Sequence, residues 1–360
     1  MRAALHRLLL ALAVALMPGL AGAEPYLAVA NGLKCSACHV NPTGGGLRSH
    51  AGALYAQNGL AQWRLPESMQ WLGDIGEHVR VGGDLRTGET RTRVPGAPTQ
   101  TSSGLEQFRL YADVQLLPDW FGATLDQQLK PGRAQRQEAY LRLGGVARGW
   151  YAKAGQFYLP FGWRLQDSTA FVRALSGVSM ATPDKGVEVG LEGGDWSVQL
   201  ARSNGPGNVG PVSGHQFTGN AAWLQPWGRV GLALASTTST GGDREAVGLF
   251  GGFTTGPLAW LGELDLVSDG GYPEGRRRLA ASLAEVDWRV VQGHNLKFTT
   301  EWLDPDRRVA HDQKVRHSLV YEWTPIPYLQ LRGGTRRYEG IPQAPVDNRR
   351  VLFVELHALM

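Results

Sequence analysis

Cysteine is almost absent: the 360 residues contain two. One bridge is the most that two thiols can make, so a disulfide-built scaffold is excluded. A structural zinc site is also short of ligands, because Cys35, Cys38 and His39 supply three donors and no partner pair follows. Long apolar runs are missing too. Beyond residue 23 nothing approaches the roughly 18 consecutive apolar residues that a membrane-crossing helix needs. Charge of one sign is lacking: 36 Lys and Arg stand against 32 Asp and Glu, a net +4. The basic residues are dispersed, which removes the electrostatic footprint of a nucleic-acid binder. No Ser/His/Asp triad or paired-carboxylate site can be picked out, so no catalytic residue is assigned.

The two cysteines are not scattered. They stand in Cys35-Ser36-Ala37-Cys38-His39, the attachment spacing of a c-type haem. Each thiol can add to one vinyl group of the porphyrin, and the adjacent histidine reaches the iron as proximal ligand. The competing readings are a Cys35–Cys38 disulfide and a redox pair. Upstream, Arg2 and Arg7 precede an apolar run from Leu8 to Met17 and a small-residue site at Ala21-Gly22-Ala23. This pattern predicts a signal peptide over 1–23, with the mature chain starting at Glu24. Export would place the thiols in an oxidising compartment.

Residues 24–70 read as a small haem-binding segment, mostly helix and loop. Asn41-Pro42-Thr43-Gly44-Gly45-Gly46 is a turn and a flexible run. A short helix is expected over 47–58, weakened by Gly52. For the iron's sixth position the candidates are His50, Met69 and His78, with His50 preferred because it lies inside the segment. An open site is the alternative.

From Gly76 onward the apolar pattern has period two. Phe108, Leu110, Ala112, Val114 and Leu116 alternate with Gln107, Arg109, Tyr111, Asp113 and Gln115; Val187, Val189 and Leu191 alternate with Glu188 and Glu192. In a strand such sets face opposite sides, one apolar and one charged. About sixteen such segments fill residues 71–360, and their connections alternate long and short. That is the arrangement of an outer-membrane β-barrel, with short periplasmic turns and longer extracellular loops. The predicted fold class is all-β: a transmembrane antiparallel barrel with a small N-terminal haem segment. The final alternation, through Leu352, Val354, Leu356 and Ala358, turns Phe353 and His357 inward.

The run Gly155-Gln156-Phe157-Tyr158-Leu159-Pro160-Phe161-Gly162 resembles a motif of the phosphate-selective porin O/P family. That resemblance implies that the long connection after it, 159–184, folds into the lumen. Arg164, Asp167, Arg173, Asp184 and Lys185 are then its candidate constriction residues. The whole arrangement, a haem motif within residues 25–39 followed by a barrel, resembles the fused monohaem cytochrome–porins, some of which oxidise extracellular iron(II). The resemblance implies one covalent haem c held by Cys35, Cys38 and His39, with the protein in the outer membrane. It also implies an extracellular electron donor or acceptor and a periplasmic cytochrome or other redox carrier as partners. The other readings are a passive porin whose cysteine pair is structural and a soluble periplasmic cytochrome with a β domain. The segment is further expected to plug the barrel or its periplasmic mouth, because so short a piece needs a larger body to pack on.

Overall fold

Sixteen antiparallel strands make one closed barrel in the computed structural model, which describes residues 24–205 and 214–360. The expected signal peptide lies outside the described residues. The first eight strands are β1 (Val79–Arg93), β2 (Gln100–Leu117), β3 (Phe121–Lys130), β4 (Gln135–Gly145), β5 (Trp150–Phe157), β6 (Asp184–Glu192), β7 (Trp196–Ser203) and β8 (Gly214–Gln225). The second eight are β9 (Gly228–Ser239), β10 (Arg244–Thr255), β11 (Leu258–Asp269), β12 (Arg277–Val291), β13 (His294–Asp304), β14 (Lys314–Ile326), β15 (Leu329–Glu339) and β16 (Arg350–Leu359). Each strand pairs with its sequence neighbours, and β16 closes on β1 from Arg350 opposite Arg93 to Leu359 opposite Asp84. Closure leaves no unpaired edge. All sixteen predicted strands are present.

The alternation settles which face is which. Val187, Val189 and Leu191 are exposed on the outside, whereas Glu188 and Glu192 are buried inside. The same holds for Leu110 against Arg109 and Asp113, for Leu264 and Leu266 against Glu263 and Asp265, and for Phe298 against Lys297 and Glu301. An apolar exterior around a charged interior suits hydrocarbon outside. Trp120, Trp150, Trp196, Trp223 and Trp227 are exposed beside short turns, forming the kind of belt found at a membrane interface. Tyr151 does not join them: it points inward and donates its hydroxyl to Glu188 at 2.8 Å. Replacing Leu264, central on β11, by Arg should cost about 2–4 kcal/mol of barrel stability in lipid. Urea titration of the folded band in bilayers checks this; no loss of stability would mean that this face does not meet lipid.

Sixteen strands enclose a channel too wide for wall side chains to fill, and two segments occupy it. One is the connection 158–183, the third on the long-loop side, which turns inward and buries Phe161, Trp163, Val172 and Leu175. Its helix, Phe171–Ser176, packs on β11, β12 and β13. Phe171 donates its backbone N–H to Glu301 at 2.8 Å, and Trp163 donates its own to Glu263 at 3.2 Å. The other segment is the N-terminal one. Its first helix, α1 (Pro25–Ala30), buries Tyr26 and Val29 against β9, β10 and β11.

Candidate functional site

The N-terminal segment is built from short pieces, each tied to the next or to the wall. α1 has Pro25 in its first turn, where a missing N–H costs nothing. Glu24 before it pairs with Lys297 and lies 3.6 Å from Arg332. Lys34 pairs with Glu192 at 3.0 Å. One helical turn, α2 (Cys35–Cys38), follows. Three residues apart in a helix, its two thiols come to one side, and both are free.

His39 ends that turn and opens a hairpin. It bridges to Arg48, with Val40 N–H to Leu47 C=O at 3.0 Å and Ser49 N–H to Cys38 C=O at 3.0 Å. The tip holds Gly44, Gly45 and Gly46, all at positive φ (89°, 85° and 63°), a path closed to most side chains. The tip is clamped to the barrel through Asn41. Its amide donates to Glu138 at 2.6 Å and accepts from Lys153 at 3.0 Å, and Lys153 pairs with the buried Glu188 at 3.1 Å. The next helix, α3 (His50–Tyr55), is capped by Ser49, whose hydroxyl accepts from Gly52 N–H at 3.1 Å. Gly52 interrupts a helical pattern for a packing reason: a Cβ there would collide with the Cys38 carbonyl. α3 thus lies directly on the haem motif.

Cys35, Cys38 and His39 line one cavity in the short-turn half of the barrel, against β6 to β10, enclosing about 1080 Å³ of space between its atoms, including that open to solvent. Its walls mix apolar surface, including Trp163 and Phe250, with Arg48, Arg164 and Arg229. His39 is 5 % exposed, and neither ring nitrogen makes a close hydrogen bond, although the Gly45 and Gly46 backbone lies near enough to oppose in part the loss of its proton. Burial, helped by the neighbouring Arg48, pushes its imidazole down to about 4, so the ring is neutral and keeps a free lone pair. Burial raises the Cys38 thiol, partly opposed by Arg48. Two thiols and a neutral imidazole lining one cavity are a donor set that fits a c-type haem.

The structure does not bring the sixth-ligand candidates to this cavity. The His50 side chain is 55 % exposed and sits 3.3 Å from Asp74; Met69 and His78 are exposed as well. The constriction candidates divide. Arg164 reaches the hairpin, donating to the Thr43 hydroxyl at 3.1 Å. Asp167 spans Arg316 at 3.0 Å and Arg336 at 3.1 Å, and Arg173 is buried against Glu263. Asp184 begins β6 facing inward. Lys185 is the exception. One residue on, it shares the parity of Val187 and is exposed outside, because a strand turns successive side chains to opposite faces. Sequence reading missed the Asn41 clamp and Arg48. Glu138 and Lys153 stood at inward parity, but nothing linked them to a distant hairpin.

The sequence matches no protein-family profile and no curated protein. Solved structures do match in shape. The anion-selective porin from Comamonas acidovorans aligns with a TM-score of 0.63 at 12 % identity, over 78 % of this chain and 98 % of that one. OmpT of Vibrio cholerae gives 0.58 at 9 % identity, covering 79 % and 99 %. The outer-membrane channel DcaP of Acinetobacter baumannii gives 0.57 at 12 %, covering 78 % and 96 %. At these identities the likeness is one of fold: a porin-like barrel of sixteen strands.

Proposed function

We propose that this protein is an outer-membrane electron-transfer protein carrying one covalent c-type haem in a plug at the periplasmic mouth of a porin-like barrel. One observation carries the reading: a buried histidine whose neutral ring makes no close hydrogen bond lines one cavity together with two free thiols. A haem bound there would supply a one-electron iron couple. Cys35 and Cys38 would hold it, and His39 would ligate the iron through its neutral imidazole. The hairpin clamp at Asn41 fixes these residues against the wall, and the connection 158–183 shields the site from the long-loop side. The partners are an extracellular donor or acceptor, iron(II) among the donors, and a periplasmic redox carrier.

A haem stain on denaturing gels, with spectra taken before and after dithionite, tests this. Covalent haem with a low-spin spectrum is expected; its absence from protein made with haem-attachment machinery overturns the reading. His39→Ala should reduce haem incorporation and lose the low-spin spectrum. His50→Ala should change neither, since its ring faces solvent and Asp74.

The structural neighbours favour a second reading, a diffusion channel, because one of them is an anion-selective porin. In that case the thiols are a structural pair, and the lumen conducts past the plug.

A further inference from the structure

Three guanidinium groups line the candidate haem cavity, and none makes an ion pair among the described residues. Arg164 donates to the Thr43 hydroxyl at 3.1 Å and to the Leu159 and Tyr158 carbonyls at 3.2 and 3.4 Å. Arg229 donates to the Leu33 carbonyl. Arg48 lines the cavity without any carboxylate within ion-pair distance. The carboxylates at the same walls are already engaged, Glu192 by Lys34 and Glu24 by Lys297 and Arg332, while Glu138 and Glu188 near Arg164 and Asp84 near Arg48 lie beyond ion-pair distance of those arginines. Among the described residues, these three guanidinium groups are therefore not neutralised by direct contact with a carboxylate.

Two of the three are held by the haem hairpin itself. Arg48 is the residue bridged to His39 across the hairpin, so its backbone moves with that of the ligand. Arg164 is fastened to Thr43 at the hairpin tip and by two carbonyls of its own loop. Neutral partners hold a guanidinium in place without cancelling its charge. A guanidinium stays protonated at neutral pH. Charges in a partly buried site are screened far less by salt than those on a surface.

We propose that Arg48 and Arg164 are the potential-setting residues of the site, raising the reduction potential of the iron held by His39. The inference rests on the haem reading. The oxidised iron carries one more positive charge than the reduced iron, so a fixed cation nearby destabilises the oxidised state more. Reduction adds one electron and breaks no bond. The site thereby suits a donor of correspondingly high potential, a metal ion or metal chelate rather than a strongly reducing organic carrier, and it must pass its electron to a carrier at least as oxidising.

The test is spectroelectrochemical titration of the full-length, detergent-solubilised protein. Arg48→Gln and Arg164→Gln should each lower the midpoint potential, and the pair together should lower it further. Covalent haem, read by stain, should be unchanged. Arg48→Lys and Arg164→Lys keep the charge and should stay near the parent potential, which separates charge from packing. Unchanged or raised potentials in both Gln variants would overturn the proposal. So would Lys variants that fall as far as the Gln ones. A parent protein without covalent haem overturns the functional reading itself, whereas a haem-bearing parent with indifferent arginines overturns only this inference.

Discussion

Cys35→Ala with Cys38→Ala should abolish covalently bound haem while the barrel still inserts and remains heat-modifiable on gels. The expectation follows from where the thiols sit. Both belong to α2, one turn that forms no part of any strand and contributes nothing to the closed hydrogen-bond ladder. The contacts that dock the segment are made by other residues: Glu24 to Lys297, Lys34 to Glu192, Asn41 to Glu138 and Lys153, and Gln62 to Trp323 at 2.8 Å. Exchanging two part-buried thiols for methyl groups removes little packing volume, so the plug itself should still dock. Haem stain and heat-modifiability give two separable readouts. Covalent haem persisting in the double variant would refute the attachment site. A barrel that no longer folds would show the thiols to be structural and would favour the diffusion-channel reading.

The barrel was legible in the sequence because its physics is local. Period-two alternation and turn residues recur along the chain, and a closed antiparallel barrel pairs neighbours in order, so local signals give the topology. The alternating connection lengths add orientation. The inward connection was legible through the motif ending at Gly162, and its apolar residues are indeed in the lumen. Lys185 follows the long connection in sequence, but β6 begins at Asp184 and parity turns the next side chain outward. His50 lies close in sequence to the haem motif, but α3 points its first residue toward Asp74. The clamp among Asn41, Glu138 and Lys153 joins residues about a hundred positions apart, and no periodicity encodes such a contact. Gly52 shows the same limit. Its sequence meaning was a weakened helix, and its structural meaning is a close approach to the Cys38 carbonyl.

Removing residues 24–70 should turn a poorly conducting barrel into a clearly better one. The segment fills the short-turn end of the lumen from several sides. Gln62 and Trp63 N–H groups donate to the Thr324 and Pro325 carbonyls at 2.8 and 2.9 Å, and Gln292 reaches the Ala61 carbonyl at 2.7 Å. Trp71 N–H donates to the Tyr328 hydroxyl at 2.7 Å, so the end of the segment is held at a short turn as well. On the far side Lys34 holds Glu192 and the Trp196 carbonyl at 2.8 Å, and a segment anchored at such separated points of a rim obstructs the opening rather than hanging from it on a free tether. The barrel should survive the deletion, because its strands pair with one another in an unbroken circle. The exposed wall charges also keep partners: Lys297 loses Glu24 but still has Glu285 at 3.8 Å and Asp287 at 3.7 Å. The connection 158–183 stays in place, so the deletion should open the pore only partway, and shortening that connection as well should raise conductance again. Single-channel recording in planar bilayers reads all three proteins. Equal conductance from the intact and deleted forms would count against a plug and would return the lumen to the diffusion-channel reading. A stepwise rise would identify the segment and the inward connection as two barriers in series, with the haem motif between them.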